Sequence, residues 1–179
     1  MANYPLHHLK ILLILLLCGL SSALYAGGIY QAPSAFINEV FDNKPPKPAV
    51  IWPKAELKKQ LADILGHKYK GLRIRYWKQG STSAWVLNEI GKEKPITTGI
   101  VIEKGKIKQL KILAFRESRG WEVRHDFFTD QFEQASLLED NRISQHIDNI
   151  SGATLSVRAV TKLARIALLL DQTIQQSSD

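Results

Sequence analysis

Asp148, Asn149, Ile150, Ser151, Gly152, Ala153 and Thr154 put a carboxylate, two hydroxyls, a glycine and a small residue directly ahead of the apolar run that opens Leu155-Ser156-Val157-Arg158. A polar loop that opens a helix is an anion site by its physics. The first backbone N–H groups of a helix have no intrahelical acceptor, and the positive end of the helix dipole lies there too. A Thr hydroxyl at that point can hold a phosphate or become esterified to one. The same residue types also suit an N-cap, worth about 1 kcal/mol. Composition alone leaves both readings standing.

A second group is Glu117, Ser118, Arg119, Gly120 and Trp121. A carboxylate, a hydroxyl, a guanidinium and an aromatic ring in one loop can hydrogen-bond to and stack on a flat heteroaromatic ligand. The alternative is a tight turn in which Arg119 pairs with a surface acid. Other chemistries find little support. His67, His125 and His146 are far apart, with no partner at metal-ligand spacing. Ser, His and Asp are present, but no Gly-x-Ser-x-Gly elbow accompanies them. Neither a Walker A motif nor Gly-x-Gly-x-x-Gly occurs.

The elements that must position these residues are readable from periodicity. Residues 32–41 read as a short helix with Phe36, Val40 and Phe41 apolar, and Pro45, Pro46 and Pro48 then impose an extended connector. Residues 54–65 read as an amphipathic helix, with Leu57, Leu61, Ile64 and Leu65 on one face and Gly66 as its stop. Four strand-like runs follow at 71–78, 83–90, 96–103 and 107–115, with turns at Gln79-Gly80-Ser81 and Lys104-Gly105. The connections are too short for parallel crossovers, so two antiparallel hairpins are expected. Residues 117–124 are irregular. Residues 129–138 read as a helix that carries Phe132, Ala135 and Leu138 inward, and residues 155–170 as a long, largely apolar last helix. The expected class is α+β, a twisted antiparallel sheet with helices packed on it and the long C-terminal helix directly after the Asp148–Thr154 motif.

The chain has 179 residues, a formal net charge of +7, 45% hydrophobic residues and 23% charged residues, which fits one globular domain plus a targeting segment. Residues 1–26 read as a secretory signal peptide, with an uncleaved anchor as the alternative: a weakly basic start, an apolar run from Ile11 to Leu17, then Ser21, Ser22, Ala23 and Ala26. Residues 27–50 are a helix and Pro-rich connector, and 51–179 the functional domain. The single cysteine, Cys18, lies in the apolar run, so no disulfide is expected in the folded part. The basic excess reads as a solvated surface, or as attraction to an anionic membrane surface or acidic protein partners, and export argues against nucleic acid.

Taken together, Asp148-x-x-Ser151-Gly152-Ala153-Thr154 resembles the flavinylation motif of FMN-binding domains, Asp-x-x-Ser/Thr-Gly-Ala-Thr/Ser. Such domains occur in the flavinylated subunits of the sodium-pumping NADH:quinone reductase and of the Rnf complex. Glu117-Ser118-Arg119-Gly120 occupies the place of that family's Glu-Thr-Pro-Gly loop, with Ser-Arg in place of Thr-Pro. The stretch from Glu89 to Thr97 and its following hairpin resemble small exported members, and the likeness runs from about residue 51 to residue 170.

The resemblance implies FMN joined through its phosphate to Thr154 by a flavin transferase that uses FAD and Mg²⁺. It implies Ser151, Gly152, Ala153, Leu155 and the Glu117–Trp121 loop around the cofactor, and Asp148 as part of the recognition motif. It further implies a periplasmic electron carrier between a membrane electron donor and a periplasmic redox acceptor, with the flavin performing the redox chemistry. An FMN-binding accessory or assembly subunit and a small FMN-dependent reductase are the alternatives.

Overall fold

The computed structural model describes residues 28–176; the expected targeting segment at 1–26, with Cys18, lies outside them. In chain order the elements are β1 (Gly28–Ile29), α1 (Pro33–Val40), β2 (Ala49–Ile51), α2 (Ala55–Leu65), β3 (Ile74–Gln79), β4 (Thr82–Ile90), β5 (Pro95–Glu103) and β6 (Lys106–Phe115). A 3-10 turn (Trp121–Arg124), α3 (Asp126–Thr129), a second 3-10 turn (Asp130–Phe132) and α4 (Thr154–Gln176) complete the fold. One six-stranded antiparallel sheet runs β1-β6-β5-β4-β3-β2. The expected α+β architecture is the observed one. Among the described residues no helix is long and apolar enough to cross a membrane.

The β3 to β6 meander follows from turn chemistry. Lys104 and Gly105 both take positive φ, 53° and 76°, as a two-residue turn between twisted antiparallel strands requires. Strict alternation fails in β6 for a physical reason. The register with β5 slips between Thr97 and Thr98 and again between Val101 and Ile102, so β6 carries extra residues at both places. Those bulges let Ile107, Leu110, Ile112 and Phe115 all enter the same core, although their spacing departs from two.

That core lies between the sheet and α4, which packs across β4, β5 and β6. The opposite sheet face is covered by α1 and the residue that caps it: Phe36, Ile37 and Phe41 meet Ala84, Val101 and Leu113. Gly99 makes room there, since a Cβ on it would sit 2.7 Å from the Phe36 ring.

The structure corrects several sequence expectations. The helix expected at 129–138 is a single turn, α3, and a 3-10 turn that ends at Phe132. Gln134 takes φ 62°, and its N–H bonds to the Ile107 carbonyl while the Ile107 N–H bonds to Ala135. Pairing with the β6 end therefore replaces helical bonds. Phe132 and Ala135 are buried as expected, but Leu138 is exposed. The last helix does not stop at Leu170; it continues to Gln176, with Ile174 buried. The run expected from residue 71 becomes strand only at Ile74, and Leu72 is exposed. The segment read as helix and connector contributes two edge strands: β1 pairs with β6, and β2, which ends at Ile51, pairs with β3.

A buried polar chain fixes α4 against the sheet. The Trp85 Nε1–H donates to Ser83 Oγ at 2.8 Å, and the Ser83 hydroxyl donates to Asp171 Oδ1 at 2.6 Å. Burial pushes the Asp171 carboxyl above its ordinary value of 3.8; bonds from Ser83 and Gln175 and the charge of Lys78 oppose this without reversing it. Because the folded state holds this proton more tightly, the stability associated with it is present at low pH and is lost as pH rises from about 3.8 through the raised value. Asp171→Asn is therefore expected to flatten that part of the stability curve. Urea midpoints from pH 3.5 to 7 check it: the substitution should gain on the wild type as pH rises.

Candidate functional site

The last turn before α4 is built by short local bonds. The Ala153 N–H bonds to the Ile150 carbonyl at 2.9 Å, and Gly152 takes φ 83°, a left-handed conformation that suits glycine. The Val157 N–H bonds to the Ala153 carbonyl, so Ala153 holds the capping position and Thr154 is the first helical residue. The capping alternative thus does not describe Thr154. Its Oγ1 instead accepts a hydrogen bond from Asn149 Nδ2 at 3.0 Å. Ser151 and Gly152 are exposed, and a Cβ at Gly152 would meet nothing within 4 Å. Leu155 is exposed beside them, and Asp148 is exposed with its own N–H held by Gln131 Oε1 at 2.7 Å.

Thr154 opens on a cleft of about 620 Å³ between α4 and the 142–149 segment. Arg142, Arg158, Lys162 and Arg165 line it together with Asn149 and Thr161. Three of these cations are engaged with protein oxygens. Arg165 Nε donates to the Asn141 carbonyl, Lys162 Nζ donates to the Leu65 carbonyl, and Arg142 pairs with Asp140. Burial, eased by Asp140, lowers the Arg165 pKa from its ordinary value. A larger hollow of about 710 Å³, lined by Glu39, Lys44 and Lys108 among others, includes no residue of the motif.

The 117–121 loop meets the helix start on another side. Gly120 has φ 84°, and a Cβ on it would lie 2.5 Å from Ser156 Oγ and 3.5 Å from Ala153 Cα. The two stretches singled out in the sequence therefore touch through their small residues. Glu117, buried beneath the loop, is used differently from what was expected. Its Oε1 accepts the N–H groups of Lys92, Glu93 and Lys94 at 2.6, 2.6 and 2.8 Å. Burial raises the Glu117 pKa, but the three amides and the Lys92 charge outweigh it and hold the carboxyl below 4.5. Ser118 and Arg119 are exposed. Trp121 is half-buried against the main core, with the Arg124 guanidinium 4.9 Å from its ring centre and the His125 ring edge-on to it at 5.3 Å. Neither Glu117 nor Trp121 lines the Thr154 cleft.

The sequence reading gave no role to Asn149, Arg158, Lys162 or Arg165. The signal for the cations was present: Thr154, Arg158, Lys162 and Arg165 fall on one helical face at 3.6-residue spacing. Nothing in the sequence pointed to Glu117 as the anchor of residues 92–94.

An FMN phosphate suits the residues present. A half-buried hydroxyl on the first residue of a long helix faces a cation-lined cleft, and the open space at Gly152 leaves the hydroxyl approachable.

Two substitutions test this arrangement. Glu117→Ala should cost roughly 2 kcal/mol at pH 7, since three amides lose a charged acceptor. The wild type should lose that contribution as pH falls below about 4.5 through the lowered folded value, and Glu117→Gln should not. Urea titrations at pH 7 and pH 3.5 read both effects. Gly120→Ala should destabilise by about 2 kcal/mol through the positive φ and the Ser156 contact, measured as a lowered thermal midpoint.

Residues 91–169 match the family model of the FMN-binding domain. No curated protein matches the chain. The matched segment contains β5, β6, the Glu117–Trp121 loop, the whole Asp148–Thr154 motif and most of α4. The match identifies an FMN-binding domain at residues 91–169 and supports a flavin-binding protein.

Proposed function

We propose that the protein is an exported electron carrier with FMN joined through its phosphate to the Thr154 hydroxyl. The observation that carries this reading is the complete Asp148–Thr154 motif at the start of α4, with the Thr154 hydroxyl facing a cation-lined cleft. Attachment requires Thr154 Oγ to bond to the FMN phosphorus of FAD while the bond to the bridging diphosphate oxygen breaks. AMP leaves, and the hydroxyl proton passes to a base of the flavin transferase, whose Mg²⁺ supports the diphosphate. Asp148 serves recognition by that transferase. Ser151 and Gly152 shape the turn, and Ala153, being small, leaves space beside the hydroxyl and lets the helix start pack against Gly120.

A bound flavin supplies one- and two-electron redox chemistry. The protein's part is to tether, orient and bias it. Ser118, Arg119 and Trp121, with the turn at Gly120, form the candidate surface for the ring system. Glu117 contributes by tying residues 92–94 to the loop that carries that surface. A covalent tether suits a periplasmic protein, because a released cofactor would be lost to the surroundings. Electrons would arrive from a membrane donor and leave to a periplasmic acceptor. A stand-alone reductase draws no support from the site, since Glu117 Oε1 is occupied by amides and His125 packs on aromatic rings.

Intact mass after co-expression with a flavin transferase tests the attachment. The wild type is expected to carry one FMN less one water, and Thr154→Ala none. An unmodified wild type, or an adduct that survives Thr154→Ala, overturns the assignment.

A further inference from the structure

We propose that Arg158 is the counter-cation of the FMN phosphate, and that the phosphate end of the cofactor lies in the cleft beside α4. The inference rests on Thr154 as the attachment point and adds a residue that the motif does not contain.

Arg158 follows Thr154 by four residues, so both share one helical face with Cβ atoms about 5–6 Å apart. Side chains on a helix lean toward its N-terminus, which carries the Arg158 guanidinium back toward Thr154 rather than away from it. Both residues line the same cleft. Its other cations are engaged: Arg165 with the Asn141 carbonyl, Lys162 with the Leu65 carbonyl and near Glu89, and Arg142 with Asp140. Among the described residues the Arg158 side chain has no ion pair or hydrogen bond, and it is exposed. No acid among the described residues lines the cleft, and the acids flanking its 142–149 wall in sequence have partners, Asp140 with Arg142 and Asp148 with His146 at 3.4 Å.

The first turn of α4 points the same way. It holds no acidic residue, although an acid there would offset the helix dipole. A 23-residue helix thus presents an uncompensated positive end beside an unpaired guanidinium. A phosphodiester on Thr154 keeps one negative charge and would satisfy both. Arg also offers a planar fork that matches two phosphate oxygens, which a lysine does not.

The test uses the full chain expressed without the transferase and titrated at low salt with FMN and with riboflavin, which lacks the phosphate. Wild type is expected to bind FMN more tightly than riboflavin. Arg158→Gln should weaken FMN about tenfold and leave riboflavin unchanged, and Arg158→Lys should recover part of the difference. A wild type without preference for FMN, or an Arg158→Gln protein that keeps the wild-type preference, overturns the proposal. The mass measurement separates this from the attachment itself. An adduct on wild type with an unchanged FMN preference in Arg158→Gln removes Arg158 alone. An Arg158-dependent preference without an adduct removes the covalent link and leaves Arg158 as a phosphate ligand.

Discussion

The burial of α4 is the constraint on which the rest of the molecule depends. Thirteen of its 23 residues are buried, on several sides, so the helix can neither slide nor rotate without exposing apolar surface. The Trp85–Ser83–Asp171 chain adds a polar stop to the same register. Because the helix body is held, its first residue has one position. Thr154 is placed by packing that occurs up to several turns away from it.

The same packing joins two stretches more than thirty residues apart. Gly120 lies against Ser156 and Ala153, where any side chain would force them apart. Small residues on both sides are what let the loop and the helix start share a surface. Beneath it, one carboxylate oxygen of Glu117 gathers three amides of residues 92–94, so the β4–β5 connection is tied to the loop as well. The flavin-binding segment is therefore held by backbone contacts and one buried charge rather than by a cluster of reactive side chains.

Charge in the cleft is divided between structure and availability. Arg165 and Lys162 hold neighbouring carbonyls and close the walls around α4. Carbonyl acceptors leave the positive charge of a donor largely uncancelled, so the cleft stays favourable to anions while its cations are structurally employed. Arg158 is the basic side chain on that face whose donors are not spent on the protein.

Much of this was legible in the sequence, because it is written in local patterns. Lys104-Gly105 specifies its turn by backbone dihedrals, Gly66 ends α2 as a left-handed C-cap with φ 74°, and the run after Thr154 shows its helical period. The 129–138 stretch was not legible, since its helical pattern is overridden by pairing with Ile107 across the molecule. The edge strands β1 and β2 were not either: strands of two and three residues have too little pattern of their own and exist through their neighbours β6 and β3. The sequence by itself determined the motif, the hydroxyl that opens the last helix and the α+β class, each set by residues close together in the chain. Only the tertiary structure decided that Glu117 is a loop anchor, that Gly120 seats the helix start, and which cations of the cleft remain available. Those roles depend on which groups meet across long chain separations, and contacts of that kind are settled by packing.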